Sequence, residues 1–218
     1  RDVVGVFCAN RATVYVKHIV ITGASGAIGA ALATQYAAAS AQEGTSSGVK
    51  IWLQGRQRQE LEAVAQTCAA LGTLTEVVVL DLQDLTAVVA WGQTLAHHNI
   101  DLLVVNAGIN THIDRETAIE DPEQSAKLLQ VNLLSAIALT QTLLPSMQQR
   151  RSGQIALISS LAAWRGLPQT PSYSASKAGL KAYGESLRST MPMATGTSRI
   201  TSVAMMFSRG ISRSSAEA

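Results

Sequence analysis

Short, almost continuously apolar runs alternate along this chain with longer amphipathic segments. Apolar runs of this length are typical of strands buried on both faces, and the longer segments have the period of helices. Because alternating strands and helices build a parallel sheet covered on both sides, the sequence predicts a three-layer, doubly wound α/β fold. The predicted strands are 18–21, 50–53, 76–80, 101–105, 154–158 and 200–206, and the predicted helices are 28–39, 59–71, 85–97, 125–149 and 173–190.

The length and composition of the chain predict one domain with a full core. The chain has 218 residues, of which 47% are apolar and 15% charged, and this balance is typical of a globular protein rather than a disordered one. Residues 17–218 are expected to form a single catalytic domain. Residues 1–16 follow no clean apolar period and are treated as an amino-terminal extension without an assigned role, and the Ser- and Gly-rich stretch 40–48 is predicted to be a surface loop.

The charge and residue patterns argue against several functional classes. The net charge is only +2 and the basic residues are scattered, so no nucleic-acid footprint is visible. Cys8 and Cys68 match no metal or redox spacing, and none of the four histidines sits in a metal-ligand pattern. No apolar run reaches the ~18 residues of a membrane span, and no secretory signal precedes the first strand. We therefore expect a cytoplasmic protein that acts on a small molecule without a metal.

A tyrosine and a lysine four residues apart, Tyr173 and Lys177, are the strongest candidates for proton chemistry. Residues at this spacing share one face of a helix. A free tyrosine titrates near pH ~10, and a nearby positive charge lowers its pKa toward neutrality. Taken alone, the pair is better interpreted as an ordinary amphipathic helix turn with a solvated lysine, because so short a pattern recurs by chance.

The first predicted strand runs into a glycine-rich turn, Thr22–Gly29, that opens a helix. Glycines let backbone N–H groups approach a pyrophosphate, whose negative charge is stabilised by the helix amino terminus. The alternative is a turn that only packs tightly. Its position between a strand and a helix favours a dinucleotide-binding site.

The residues after the second and third strands bear on the choice of cofactor. Where a carboxylate would bind the adenosine ribose, the chain has Arg56, whose guanidinium suits a 2′-phosphate. NADP(H) is therefore expected rather than NAD(H), the alternative being a solvated arginine. Asp81 and its neighbour Leu82 are further cofactor-binding candidates, and Asp81 could bind the adenine amino group or cap the following helix.

These motifs, in this order along residues 17–210, resemble those of the short-chain dehydrogenase/reductase family in its compact, single-domain form. The resemblance implies a Rossmann fold and assigns residues to the cofactor and the catalyst. The cofactor-binding turn is matched by Gly23, Ser25, Ala27, Ile28 and Gly29. The segment beside the adenosine ribose is matched by Asn106, Ala107 and Gly108, and the catalytic residues by Asn132, Ser160, Tyr173 and Lys177.

The resemblance also implies a reaction, hydride transfer between NADP(H) and a carbonyl or secondary alcohol. In it, Tyr173 exchanges a proton with the substrate oxygen and Lys177 stabilises the tyrosinate and contacts the nicotinamide ribose. Ser160 binds the substrate oxygen, and Asn132 holds a water of the proton relay. The family's spacing to the tyrosine selects Ser160 over Ser159, which is then a structural contact.

The carboxyl-terminal part departs from the family pattern. The stretch Phe207–Ser212 lacks the usual Pro-Gly turn and threonine, and the chain ends at Ala218, so the carboxyl-terminal part is interpreted as truncated. A second hypothesis follows, in which a catalytically weak or inactive nucleotide-binding protein of the same fold acts by association. The resemblance implies a homodimer or homotetramer through the two long helices. The residues near the site, such as Ala162, Trp164, Leu167 and Pro168, predict an apolar pocket wall for a substrate that the sequence does not identify.

Overall fold

Six parallel strands form the sheet at the centre of the computed structural model, which describes residues 18–42, 48–111, 113–114, 119–190 and 199–205. The strands lie in the order β3-β2-β1-β4-β5-β6, the strand order of the Rossmann fold, so the predicted doubly wound sheet is confirmed. The strand bounds are β1 His18–Thr22, β2 Lys50–Gly55, β3 Leu74–Val79, β4 Leu102–Val105, β5 Gln154–Ser160 and β6 Arg199–Met205.

Helices connect successive strands and cover both faces of the sheet. They are α1 Ala27–Gln42, α2 Arg58–Ala70, α3 Leu85–Ala96, α4 Pro122–Leu129, α5 Ser135–Arg150 and α6 Pro171–Thr190. Residues 40–42 of the loop predicted for 40–48 are helical instead, because α1 continues through Gln42, and residues 43–47 lie outside the described residues. The end of α1 is rich in alanine, which has the highest helix propensity and therefore favours continuation of the helix.

The predicted continuous helix 125–149 is wrong in one respect. A single π-helical turn, Gln130–Leu134, separates α4 from α5. In this wide turn the N–H of Ser135 donates to the carbonyl oxygen of Gln130, five residues earlier. The buried side chain of Asn132 is bonded outside the helix, to Ile109 and Ser176, which accounts for the local widening because π turns commonly accommodate a functional side chain.

Alternate residues of the central strands face two separate cores. Ile19 and Ile21 of β1 pack with Leu32 and Ala33 of α1 and with Leu61 of α2 on one face. On the other face, residues of β1, β2 and β4 pack against residues of α3, α5 and α6. The strands contribute Val20, Trp52, Leu103 and Val105, and the helices contribute Val88, Leu95, Leu139, Leu143 and Leu180. Because both faces of the sheet are buried, the middle positions of β1, β2, β4 and β5 are apolar on both sides, and polar residues stand near the strand ends.

Strand β3 does not fit the expectation of burial on both faces. It lies at one edge of the sheet, and Leu74 and Val79 are 61% and 45% exposed. An edge strand has a neighbour on one side only, so its apolar run is not fully covered. Its charged residue Glu76 pairs with Lys50 of β2 at 2.6 Å, and such edge charges oppose pairing with another sheet.

Some sequence predictions lie outside the described residues. These are the amino-terminal extension 1–16, the histidine at position 112 and the carboxyl-terminal stretch 207–218. Among the described residues, one helical run, Pro122–Arg150, is long and apolar enough to cross a membrane by length and hydropathy alone. In this fold its apolar residues Leu139, Leu143 and Met147 are buried in the core.

Candidate active site at the carboxyl ends of the strands

The glycine-rich turn between β1 and α1 is shaped by close backbone contacts. Gly23 has φ +64°, and a Cβ there would lie 2.8 Å from Cα of Ala107. A Cβ on Gly29 would lie 2.3 Å from the carbonyl oxygen of Gly23. Both positions therefore require glycine, because any side chain would force the turn away from β4 or from α1. Gly26 has no such contact and is exposed.

A buried glutamine that no sequence motif revealed, Gln54, supports this turn. Its Oε1 accepts a hydrogen bond from the N–H of Gly23 at 3.1 Å, and its Nε2 donates to the carbonyl oxygen of Leu80 at 2.7 Å. Gln54 is 1% exposed and lies near the end of the otherwise apolar strand β2. A polar residue buried in an apolar strand must satisfy its hydrogen bonds, and here it joins the ends of three strands.

The carboxyl ends of β1, β2, β3 and β4 surround a cavity of about 450 Å³. It lies where the strand order reverses between β1 and β4, the place at which open α/β sheets bind ligands. Most of the predicted cofactor-binding residues line it: Gly23, Ser25, Ala27, Ile28, Arg56, Asp81, Leu82, Asn106, Ala107 and Gly108. Gly29 lies beneath the turn rather than on the cavity wall, and Tyr173 and Lys177, which were also predicted to bind the cofactor, do not line the cavity either.

Hydrogen bonds hold Asn106 and Ala107 against the end of β1. The N–H groups of Asn106 and Ala107 donate to Oγ1 of Thr22, and Nδ2 of Asn106 donates to the carbonyl oxygens of Thr22 and Gly23, at 3.0 to 3.1 Å. Oδ1 of Asn106 is buried without a partner among the described residues. An unpaired acceptor in a cavity wall fits a hydroxyl-bearing ligand, so the residues present suit a dinucleotide.

The two charged candidates at the adenosine end differ in their surroundings. Arg56 follows β2, is exposed and lies on the cavity wall. Asp81 accepts a hydrogen bond from the N–H of Gln83 at 3.0 Å within its own turn. The alternative role of Asp81 as a helix cap is wrong, because α3 is capped by Asp84, which accepts from the N–H of Ala87 at 3.0 Å.

Lys177 is the most unusual charged group of the site. It is 4% exposed, and its Nζ donates to the carbonyl oxygen of Ile158 at 3.0 Å and lies 5.8 Å from the ring centroid of Tyr173. Desolvation by burial lowers the pKa of Lys177 from 10.5 to about 8. The predicted pairing on one helix face therefore exists, and its cation is held out of water.

Gly108 joins this pair to the cavity. A Cβ at Gly108 would lie 3.4 Å from Nζ of Lys177 and 3.3 Å from Oδ1 of Asn132. Asn132 is 1% exposed; its Oδ1 accepts from the N–H of Ile109 at 2.8 Å, and its Nδ2 donates to Ile109 and Ser176. The side chains of Lys177 and Asn132 thus both lie next to Gly108, which lines the cavity.

Ser159 and Ser160 have separate environments at the end of β5. Ser159 is buried, and its Oγ donates to the carbonyl oxygen of Lys177 at 3.0 Å, which attaches α6 to the sheet. Ser160 is partly exposed, and its Oγ accepts from the N–H of Ala162 at 3.2 Å and caps the 3-10 turn Leu161–Ala163. Neighbouring strand residues point to opposite faces, so Ser160 faces away from the contact that Ser159 makes with α6.

The residues predicted to form an apolar pocket wall differ in their exposure and do not line the cavity described above. Ala162 is buried, whereas Trp164 and Leu167 are 66% and 40% exposed. Nζ of Lys181 lies 4.0 Å from the Trp164 ring centroid, a cation–π contact that holds the ring against α6. Among the described residues, no group of three or more His, Cys, Asp or Glu could hold a metal ion.

The sheet order, the glycine-rich turn and the cavity at the switch point define a dinucleotide-binding α/β protein of the Rossmann class. Residues 17–205 match the family model described as short chain dehydrogenase. The chain belongs to the short-chain dehydrogenase family.

Individual relatives agree with this assignment. The chain is 36% identical over 178 residues to a dehydrogenase/reductase SDR family protein 7-like of Drosophila melanogaster, covering 79% of this chain and 52% of that protein. Among solved structures, a metagenomic short-chain oxidoreductase in complex with NADP superimposes with a TM-score of 0.75 at 30% identity, covering 86% of this chain and 81% of the other. A putative NAD(P)-dependent gluconate 5-dehydrogenase from Beutenbergia cavernae with bound NADP gives a TM-score of 0.75 at 28% identity, with 88% and 72% covered. The chain spans about half the length of the Drosophila relative.

Proposed function

We propose that the protein transfers a hydride between NADP(H) and a carbonyl or secondary alcohol, with Tyr173 as the general acid and base. One observation carries the proposal: the buried ammonium of Lys177 lies 5.8 Å from the ring centroid of Tyr173 and next to Gly108, a residue of the cavity wall. Burying a cation is costly, so a purely structural lysine would be expected at the surface.

The side chains of the site divide the proton chemistry among them. A bound nicotinamide supplies or accepts the hydride. Tyr173 donates its proton to the substrate oxygen in reduction and takes it back in oxidation. The hydroxyl of Ser160 binds the same oxygen, and the charge of Lys177 stabilises the tyrosinate left after proton donation. Asn132 contributes by fixing the backbone of Ile109, which keeps the cavity wall in register with α6.

The proposed preference for NADP(H) depends on Arg56. This guanidinium lies on the cavity wall directly after β2, and Asp81, the carboxylate that shares the cavity wall, accepts hydrogen bonds from Gln83 in its own turn. An arginine at this position binds a 2′-phosphate with charge-assisted hydrogen bonds. The two similar solved structures that contain NADP support the same choice.

The activity is tested by following NADPH consumption at 340 nm over a panel of aldehydes and ketones, with Tyr173→Phe as the control variant. The proposal expects turnover in the wild type and its loss in the variant, because phenylalanine keeps the ring and removes the proton donor. NADPH binding, measured by fluorescence, should survive in the variant. Turnover no faster than that of Tyr173→Phe on every substrate would replace the proposal with the nucleotide-binding, inactive alternative.

A further inference from the structure

A carboxylate outside the proposed catalytic set, Glu120, contacts the first turn of the helix that carries Tyr173. One oxygen, Oε2, accepts hydrogen bonds from the N–H of Ser172 at 2.9 Å and from the hydroxyl of the same residue. The other oxygen, Oε1, accepts from Oγ1 of Thr111 at 2.9 Å. Ser172 directly precedes Tyr173, whereas Thr111 belongs to the segment that follows β4.

The same two segments are joined a second time through the backbone. The N–H of Ile113 donates to the carbonyl oxygen of Gln169 at 2.8 Å, just before α6 begins. Gln169 has φ +68°, a left-handed conformation that a glutamine adopts only where its surroundings enforce it. The segment after β4 thus holds the entry to α6 through one side chain and one backbone contact.

The charge of Glu120 suits its position. The helix α6 has 20 residues, and its amino terminus carries N–H groups that have no partner inside the helix, together with the positive end of the helix dipole. Desolvation acts to raise the pKa of Glu120, but the hydrogen bonds from Ser172, Thr111 and Ser125 together hold it below its ordinary value. The carboxylate therefore stays ionised at the helix terminus throughout the neutral range.

We infer that Glu120 is a positioning residue for the proposed reaction: its carboxylate bridges the segment after β4 to the first turn of α6 and so sets Tyr173 against the dinucleotide cavity. We call this contact the Glu120 bridge. The segment after β4 includes Asn106, Ala107 and Gly108 on the cavity wall, so the bridge links the wall of the cofactor cavity to the proton donor by a short path. The inference rests on the proposed function, since it assigns Tyr173 the proton transfer.

The matched control is the adjacent carboxylate. Asp121 caps α4 by accepting from the N–H of Glu123 at 2.8 Å, and its described hydrogen bonds are all within α4. Glu120→Ala and Asp121→Ala therefore each remove one helix-capping carboxylate, and only the first releases α6. Glu120→Gln keeps the side-chain length and an acceptor for Ser172 and is expected to recover most of the turnover lost in Glu120→Ala.

The test combines steady-state kinetics with hydrogen exchange of the peptide covering residues 168–178, measured by mass spectrometry. Glu120→Ala should lower kcat about tenfold or more, because small displacements of a catalytic group cost orders of magnitude. Its KM for NADPH should stay within about twofold, since the glycine-rich turn is untouched. The peptide should exchange faster in Glu120→Ala and unchanged in Asp121→Ala. If Glu120→Ala does not fold, Thr111→Val removes the other end of the bridge and should show the same separation of kcat from KM.

Two results would overturn the inference. One is an equal loss of kcat in Glu120→Ala and Asp121→Ala, which would show a general stability effect. The other is unchanged exchange of the 168–178 peptide in Glu120→Ala. Failure of the proposed function is distinguished by Tyr173→Phe: if that variant keeps full turnover, the proposed role of Tyr173 is wrong, and the exchange measurement then decides the Glu120 bridge alone.

Discussion

Replacing Lys177 by methionine should make the protein more stable at neutral pH while abolishing its proposed activity. The perturbation removes a buried ammonium and keeps an unbranched side chain of similar length. Each pKa unit corresponds to about 1.36 kcal/mol. A pKa lowered from 10.5 to about 8 therefore means that burial of the charge costs the folded state about 3 kcal/mol.

The hydrogen bond from Nζ to Ile158 offsets part of that cost. A hydrogen bond to a charged group contributes about 1.5–3 kcal/mol, and Lys177→Met loses it. We expect the variant to exceed the wild type in free energy of unfolding by about 1 kcal/mol at pH 7, taking about 2 kcal/mol for the lost bond. NADPH turnover should disappear in the same variant, because no cation remains to stabilise the tyrosinate.

The pH dependence of the difference is the sharper part of the prediction. Below pH 8 the lysine is protonated in both states, so the folded wild type bears the full cost of burial. Between about pH 8 and 10.5 the unfolded chain binds more protons than the folded one, and wild-type stability rises with pH. From pH 7 to pH 10 the wild type should gain about 2–3 kcal/mol on the variant, which reverses their order.

Urea unfolding followed by circular dichroism, at half-unit steps from pH 7 to pH 10, measures this difference. Burial also raises the pKa values of Cys68 and Tyr183, but both residues are present in each protein and their titration cancels in the comparison. Lys181→Met, one turn later on α6, controls for removal of a lysine from this helix. A difference between wild type and Lys177→Met that stays constant over the whole pH range would refute the argument that a buried ammonium is desolvated in the folded protein.

Three further predictions concern the cofactor site and the packing beside it. Arg56→Ala should weaken NADP(H) binding about 10- to 100-fold, through loss of ~1.5–3 kcal/mol of charge-assisted hydrogen bonding, and leave NAD(H) binding nearly unchanged. If calorimetry shows equal losses of affinity for the two cofactors, Arg56 does not bind the 2′-phosphate. Gly29→Ala should abolish dinucleotide binding and lower Tm, because its Cβ would lie 2.3 Å from a backbone oxygen, whereas Gly26→Ala, at 3.5 Å, should keep the Tm in a thermal scan. Gly92→Ala should lower the free energy of unfolding by about 1–3 kcal/mol, because its Cβ would lie 2.9 Å from Cβ of Thr142 where α3 packs on α5. Chemical denaturation measures this loss, and an unchanged free energy of unfolding would mean that the two helices move apart without cost.

The order of strands and helices could be predicted from the sequence because the buried strands β1, β2, β4 and β5 are short apolar runs, and longer helical segments separate them. Most residues that line the cavity could be predicted to do so for a related reason: a run of glycines between a strand and a helix is typical of a turn that must admit a phosphate closely. Gln54 and Glu120 could not be found in this way. Their partners, Gly23 and Ser172, are 31 and 52 residues away, and nothing local distinguishes a bridging carboxamide or carboxylate from a solvated one.

Contacts between residues far apart in sequence also account for the errors in the fold prediction. The π turn at Gln130–Leu134 arises from contacts of Asn132 with Ile109 and Ser176, which the helix period does not reveal. The exposure of β3 depends on its place at the sheet edge, and its sequence, Leu74–Val79, is as rich in valine as a central strand. In both cases long-range topology, rather than local preference, determined the outcome.

The position of β1 in the sheet fixes when the binding site can form during synthesis. β1 pairs with β2, whose residues follow about 30 positions later, but its other neighbour, β4, is more than 80 positions away. Bringing β4 to β1 closes a loop of more than 80 residues, and the entropy cost of this closure is offset only when the sheet is complete. One edge of β1 therefore stays unpaired in the nascent chain until residue 105 has left the ribosome. One wall of the dinucleotide cavity, Asn106–Gly108, arrives with that same strand. A dinucleotide can therefore act as a folding ligand only late in synthesis, and it should speed the last assembly steps rather than the first ones.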